Sequence, residues 1–272
     1  MNYIQLRIEA TEENQDLLIG VLSPLNATGF EQTATHLVAY FEEDPFESYD
    51  VYAILKKFTY QIQTIKEENW NAAWEASFQP VIVGQFCAVR AHFHPPVTSV
   101  QHEIIITPKM SFGTGHHATT FMMLEQMQAL DFRNKTVLDF GTGTGVLAIL
   151  AEKLGAAKIV AIDNDTWSFE NVQENIQLNH CAKILPQLTA EISNAVQYDI
   201  VLANITKNVL LGYLDRLKTC IHAGGYVVMS GLLETDSAEM LAACEKWGMK
   251  LVQKKVREQW LSLLFSNETE TN

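Results

Sequence analysis

Residues Asp139-Phe140-Gly141-Thr142-Gly143-Thr144-Gly145 decide the fold of the larger part of this chain. The preceding run, from Thr136, has strand character, and Val146 to Leu154 reads as a helix. A strand that runs into spaced glycines and then a helix is a ligand-binding device. Glycine lets the backbone approach a ligand and turn without a Cβ clash. The first turn of the helix offers free N–H groups. The pattern here is G-x-G-x-G. A dinucleotide fingerprint, G-x-G-x-x-G, would need its third glycine at position 146, where Val146 stands. Asp139 places a carboxylate just before the turn, where it would repel a pyrophosphate but could accept from an ammonium group.

Outward from the turn, Lys158 to Ile162 reads as the next strand and ends at Asp163. A carboxylate at that strand end takes the hydroxyls of a ribose. Asp165 reads instead as the cap of a helix over Thr166 to Asn179. Nucleoside, positive charge and no phosphate together describe S-adenosylmethionine (SAM), the cofactor expected here. Further strands are expected at Tyr198–Ala203, Tyr226–Ser230, Lys250–Glu258 and Trp260–Phe265. Helices are expected at Val209–Cys220 and Ser237–Trp247. This alternation predicts an open, mostly parallel α/β sheet, with a closing hairpin that adds an antiparallel edge strand.

Asn204 lies at the carboxyl end of the strand over Tyr198–Ala203, the edge where open α/β sheets hold ligands. Its side-chain oxygen can accept a hydrogen bond from an amine. A second glycine-rich stretch, Ser111 to Thr120, precedes the first by about one helix. It reads as a lid, with Phe112 as apolar cover and the Thr119-Thr120 hydroxyls opening the next helix. The neighbouring His116 and His117 lack partners at metal-ligand spacing, so no metal is expected.

The first 66 residues follow a βαββαβ order, which predicts a small ferredoxin-like α+β domain. Its strands are expected at Ile4–Ile8, Phe30–Thr33, Leu37–Phe41 and Thr59–Ile65. One helix follows Thr11, and a second opens at Pro45 and runs through Leu55. Residues 67–100 read as a linker with an aromatic-rich helix. In it Trp70, Trp74 and Phe78 recur at helical spacing, which is better explained by packing than by substrate contact. Residues 101–272 form the second domain.

The chain has 272 residues, 47% of them apolar, enough for packed cores. Its formal charge of −13 argues against a general phosphate-binding surface, so no direct nucleic-acid contact is expected. Cys87, Cys181, Cys220 and Cys244 are scattered, which predicts reduced, buried thiols rather than disulfides or zinc. The first residues show no signal-peptide pattern, and no apolar run approaches membrane-spanning length. A cytoplasmic monomer without membrane contact is expected.

With these residues in view, the chain resembles the ribosomal protein L11 methyltransferase family. The resemblance runs from about Asn69 to Phe265. It includes Trp70, Trp74 and Phe78 with Pro80, Phe112-Gly-Thr-Gly with His117 and Thr119-Thr120, and the turn from Asp139. It continues through Ile162-Asp163, Ala203-Asn204-Ile, Gly224-Gly225, Ser230-Gly231-Leu-Leu and Trp260. Ala118, Thr206 and Gln259 depart from the family's common pattern. The resemblance implies a small substrate-recognition domain joined by a linker to a seven-stranded Rossmann-like methyltransferase domain. It implies methyl transfer from SAM to the α-amine and lysine ε-amines of ribosomal protein L11. It also implies SAM contacts at Thr120, Gly141, Asp163 and Asn204. From the residues themselves Phe112, Asp139 and Gly143 join that set, and Asn204 is the candidate catalytic residue. Competing readings are methylation of another protein or a small amine, nucleic-acid methylation, and a silent SAM-binding module. A NAD dehydrogenase fits least, given Val146 and Asp139.

Overall fold

The computed structural model describes residues 2–43, 48–66, 78–109, 115, 117–193 and 195–267. By internal contacts the chain divides into two compact units, Met1–Ser77 and Phe78–Asn272.

The first unit runs β1 (Asn2–Glu9), α1 (Glu12–Leu22), β2 (Ala27–Gln32), β3 (His36–Glu42), α2 (Ser48–Leu55) and β4 (Tyr60–Lys66). Its sheet has the order β2-β3-β1-β4, all antiparallel. This is the ferredoxin-like arrangement. Strict alternation in β1 sends Ile4, Leu6 and Ile8 to one face, where they meet Leu18 and Leu22 of α1 and Val51 and Leu55 of α2. The turn after α1 falls at Asn26, whose φ of 64° is tolerated by asparagine, and Gly29 sits inside β2. Pro45 lies outside the described residues.

The second unit begins with a three-stranded sheet, ordered β5 (Val81–Val83), β6 (Cys87–Ala91) and β7 (His102–Ile106). Two of these strands fall in the stretch read from sequence as linker. Val89, Ile104 and Ile106 pack with Met123 and Met127 of α3 (Ala118–Met127) and Leu147 and Leu150 of α4 (Val146–Lys153). Phe78 packs against the same core and stacks on His94 with ring centroids 5.9 Å apart. Trp70 and Trp74 lie outside the described residues.

The main sheet has seven strands in the order β10-β9-β8-β11-β12-β14-β13. They are β8 (Thr136–Phe140), β9 (Lys158–Asp163), β10 (Ile184–Leu188), β11 (Tyr198–Asn204), β12 (Ile221–Leu233), β13 (Lys250–Arg257) and β14 (Trp260–Ser266). The first five in that order pair in parallel. β14 is antiparallel to both β12 and β13 and inserts between them, so the edge strand is β13. The remaining helices are α5 (Thr166–Leu178), α6 (Lys207–Cys220) and α7 (Ser237–Lys246). β8 and β11 lie side by side at the centre, and β11 and the Val227–Met229 stretch of β12 are buried apolar runs, as expected where a sheet is covered on both faces. The sheet order reverses between β8 and β11, the switch point where open α/β sheets leave a crevice.

All four cysteines are free, and three are buried. Burial pushes the Cys87 and Cys244 thiols up to about 12, which leaves them unreactive. Among the described residues no helix is long and apolar enough to cross a membrane.

Candidate active site

The switch point is occupied by a cavity of about 570 Å³. Gly141 and Gly143 of the glycine turn, Asp163 at the end of β9 and Asn204 at the end of β11 all line it. Thus four of the residues singled out from sequence converge, although they come from three separate strand ends.

The turn is held from several sides. Gly141 and Thr142 donate their N–H groups to the Ile162 carbonyl at 2.9 and 3.0 Å. The Gly143 N–H donates to Asp163 Oδ2 at 2.9 Å. Asp163 Oδ1 accepts from the Asp165 N–H at 3.0 Å. Asp163, a lining residue, is therefore held through both oxygens, and each still has a free lone pair. Asp165 accepts from the Ser168 N–H at 2.8 Å and caps α5.

Two glycines are demanded by packing as well as by any ligand. A Cβ on Gly141 would stand 2.3 Å from Ile205 Cγ2, and one on Gly145 would stand 2.5 Å from Val172 Cγ2. Both have positive φ, 75° and 81°. Gly145→Ala should cost about 1–3 kcal/mol through strain and overpacking. A thermal melt showing no loss would contradict that packing argument.

Asp139 does not line the cavity. It lies beneath the turn, fully buried. Its Oδ2 accepts from the Thr142 hydroxyl at 2.7 Å and from the Ala148 N–H at 3.2 Å, tying the turn to α4. Its Oδ1 has no hydrogen-bond partner among the described residues. Burial, aided by the nearby Asp163 charge, pushes its carboxyl from 3.8 up to about 7, although the hydrogen bonds from Thr142 and Ala148 pull the other way.

Thr120 is also fully buried behind the wall. Its hydroxyl oxygen accepts from Asn204 Nδ2 at 3.1 Å. That contact holds one end of the carboxamide. Asn204 Oδ1 is left buried and without a partner among the described residues. An orphaned acceptor at the cavity wall costs about 1–3 kcal/mol unless a ligand meets it. Phe112 lies outside the described residues.

Two wall residues had no role of their own from the spacing of the sequence. His117 is the N-cap of α3, where its ring nitrogen Nδ1 accepts from the Thr119 N–H at 3.3 Å. Its ring meets Trp260 edge-on at 4.5 Å. Trp260 reaches the cavity because β14 inserts beside β12 and sets it opposite Leu233. A histidine two residues before Thr119 was the available signal for a cap. Nothing local marked Trp260, since its place depends on strand order.

Among the described residues no lysine or arginine lines the cavity, and Asp163 is its charged group with fixed geometry. Such a site suits a cation with hydroxyls. The free lone pairs of Asp163 and the close-packed glycine turn fit SAM.

Comparison with known proteins agrees. The family model described as ribosomal protein L11 methyltransferase (PrmA) matches residues 25–268. A ribosomal protein L11 methyltransferase of Porphyromonas gingivalis is 34% identical, with 99% of each chain covered. One of Chlorobaculum parvum is 38% identical, covering 97% of this chain and 96% of that one. The crystal structure of ribosomal protein L11 methylase from Lactobacillus delbrueckii subsp. bulgaricus superposes with a TM-score of 0.65 at 27% identity. It covers 71% of this chain and 100% of the other. A seven-stranded sheet that gathers Gly141, Asp163 and Asn204 around one cavity, with relatives matched over nearly the whole chain, shows that this protein belongs to the ribosomal protein L11 methyltransferase family.

Proposed function

We propose that this SAM-dependent methyltransferase binds SAM on the glycine turn and methylates the α-amine and lysine ε-amines of ribosomal protein L11. The observation that carries the reading is Asn204, a lining residue whose buried Oδ1 has no partner among the described residues, at the wall of a cavity that the carboxylate residue Asp163 also lines. When bound, SAM supplies an electrophilic methyl group on a sulfonium.

The chain's own residues do the rest. Asp163 accepts from the ribose hydroxyls, and the Gly141–Gly143 backbone lies against the cofactor. Thr120 positions Asn204, and Asn204 Oδ1 accepts a hydrogen bond from the incoming amine. Asp139 supports the turn from below and presents the field of its carboxyl to a cationic ligand. Phe112 is assigned as the cofactor's apolar cover. His117 and Trp260 wall off water. An α-amine titrates near ~8 and a lysine near ~10.4, so both arrive mainly protonated. A dry, apolar wall lowers that pKa and favours the neutral nucleophile. Asparagine suits this task better than aspartate, because an anion would hold the ammonium form.

Among the described residues, those that line the cavity all belong to the second unit. That arrangement leaves residues 1–66 for substrate recognition and Phe78–Asn272 as the unit that carries the methyl transfer. The charge of −13 favours a basic protein partner over direct nucleic-acid contact, and the expected compartment is the cytoplasm. Asp163→Ala should weaken SAM binding by about tenfold or more, the equivalent of a charge-assisted hydrogen bond. Titration calorimetry showing unchanged affinity would place the cofactor elsewhere.

A further inference from the structure

Helix α5 and its C-cap carry three buried asparagines, Asn171, Asn175 and Asn179, at four-residue spacing and so on one face. Asparagine is an indifferent helix former, and burying a carboxamide is costly unless it is paired. The three pair with main chain. Asn179 Oδ1 accepts from the Ile105 N–H at 3.0 Å, and its Nδ2 donates back to the Ile105 carbonyl at 2.6 Å. Asn175 Oδ1 accepts from the Thr107 N–H at 2.8 Å. Asn171 Nδ2 donates to the Thr107 carbonyl at 3.1 Å. The ladder thus serves as a substitute strand beside β7 and the residues after it.

Asn175 differs from its neighbours. Its Nδ2 donates to the Thr144 carbonyl at 2.8 Å, inside the glycine turn. Thr144 lies between Gly143 and Gly145, whose φ angles of 55° and 81° place both in the left-handed region. Glycines on both sides leave that peptide little rigidity of its own. The same helix face sets Val172 against Gly145 and brings Ser168 to the cavity wall. The carboxamide orientation is unambiguous, since its oxygen meets an N–H and its nitrogen meets a carbonyl.

We propose that Asn175 is a positioning residue for the cofactor: it ties the Thr144 peptide to the Thr107 backbone and so sets Gly143 at the cavity wall. The inference rests on the glycine turn being the SAM site. Asn171 and Asn179 fasten the strand, and Asn175 alone among the three joins that strand to the turn.

The test compares one chemical change at two rungs of the full-length protein. Asn175→Asp replaces a donor to the Thr144 carbonyl by an acceptor, and Asn171→Asp does the same toward the Thr107 carbonyl. Both should lower the melting temperature. N175D should also raise Kd and KM for SAM about tenfold, the equivalent of one buried hydrogen bond, with kcat at saturating SAM within about twofold. N171D should leave Kd for SAM unchanged. If N175D does not fold, Asn175→Ser, too short to span both groups, is measured against the same expectation. Unchanged SAM affinity in the folded Asn175 variant, or an equal loss in N171D, overturns the proposal. Asp163→Ala run in parallel separates the two readings. If D163A loses SAM and N175D does not, this inference alone falls. If D163A retains full affinity, the cofactor-site reading falls and takes this inference with it.

Discussion

Asn204→Ala is expected to lower kcat on the order of 100-fold while changing Kd for SAM by about threefold or less. A fall of that size is typical when one preorganised hydrogen-bonding group is lost from an active site. The split follows from the geometry. Asn204 Nδ2 is engaged by the Thr120 hydroxyl, so that half of the carboxamide is structural. The Oδ1 half is buried, at the cavity wall and without a partner among the described residues. Its value lies in meeting the substrate amine rather than in retaining the cofactor. Asn204→Asp sharpens the test. The carboxylate can accept from the Thr120 hydroxyl and keep the fold, but it would raise the pKa of the approaching ammonium. The rate of N204D should therefore recover as pH is raised above that of the wild type. Equal kcat for wild type and N204A would remove Asn204 from the reaction.

Asp139→Asn is expected to flatten the pH dependence of stability. The unfolded chain releases this proton near the ordinary value of 3.8, and the folded protein near about 7. Between those values the native state holds more protons than the unfolded state. Stability is therefore fully present below about pH 4 and is lost as pH rises through 7. The three-unit difference corresponds to on the order of 4 kcal/mol from this one group. In the variant the asparagine oxygen can take over the Thr142 and Ala148 hydrogen bonds, and no proton remains to lose. Melting temperatures of both proteins at pH 5 and pH 8 measure the effect. The wild type should lose more between the two, by on the order of 10 °C. Parallel slopes would mean that Asp139 titrates as an ordinary exposed carboxyl.

How far the sequence disclosed this site depended on whether each residue acts locally. The glycine turn, Asp163 and Asn204 are legible because each sits at a strand end, and strand-turn-helix order places strand ends on one edge of a parallel sheet. The same logic made the ferredoxin-like order of the first unit legible, since β1 alternates cleanly over one buried face. β10 was not legible. Its sequence, Ile-Leu-Pro-Gln-Leu, contains Pro186, and a proline argues against a central strand; the sheet admits it because β10 is an edge. β5 and β6 were hidden among Pro80, Pro95 and Pro96, and they form strands because β7 and the α3–α4 core complete them. Asp139 shows a different limit. Its place before the turn suggested direct contact with a ligand, whereas the fold buries it below and uses it to join Thr142 to Ala148. Trp260 became part of the cavity through the insertion of β14, a long-range pairing that no local pattern encodes.

The most direct measurement is mass spectrometry of ribosomal protein L11 after incubation with SAM and the purified protein, beside a reaction with D163A. Methyl additions are expected at the α-amine and lysines of L11 with the wild type, and far fewer with D163A at SAM concentrations below its Kd. Unmodified L11 alongside methylated material of another kind in a whole-cell lysate would contradict that expectation.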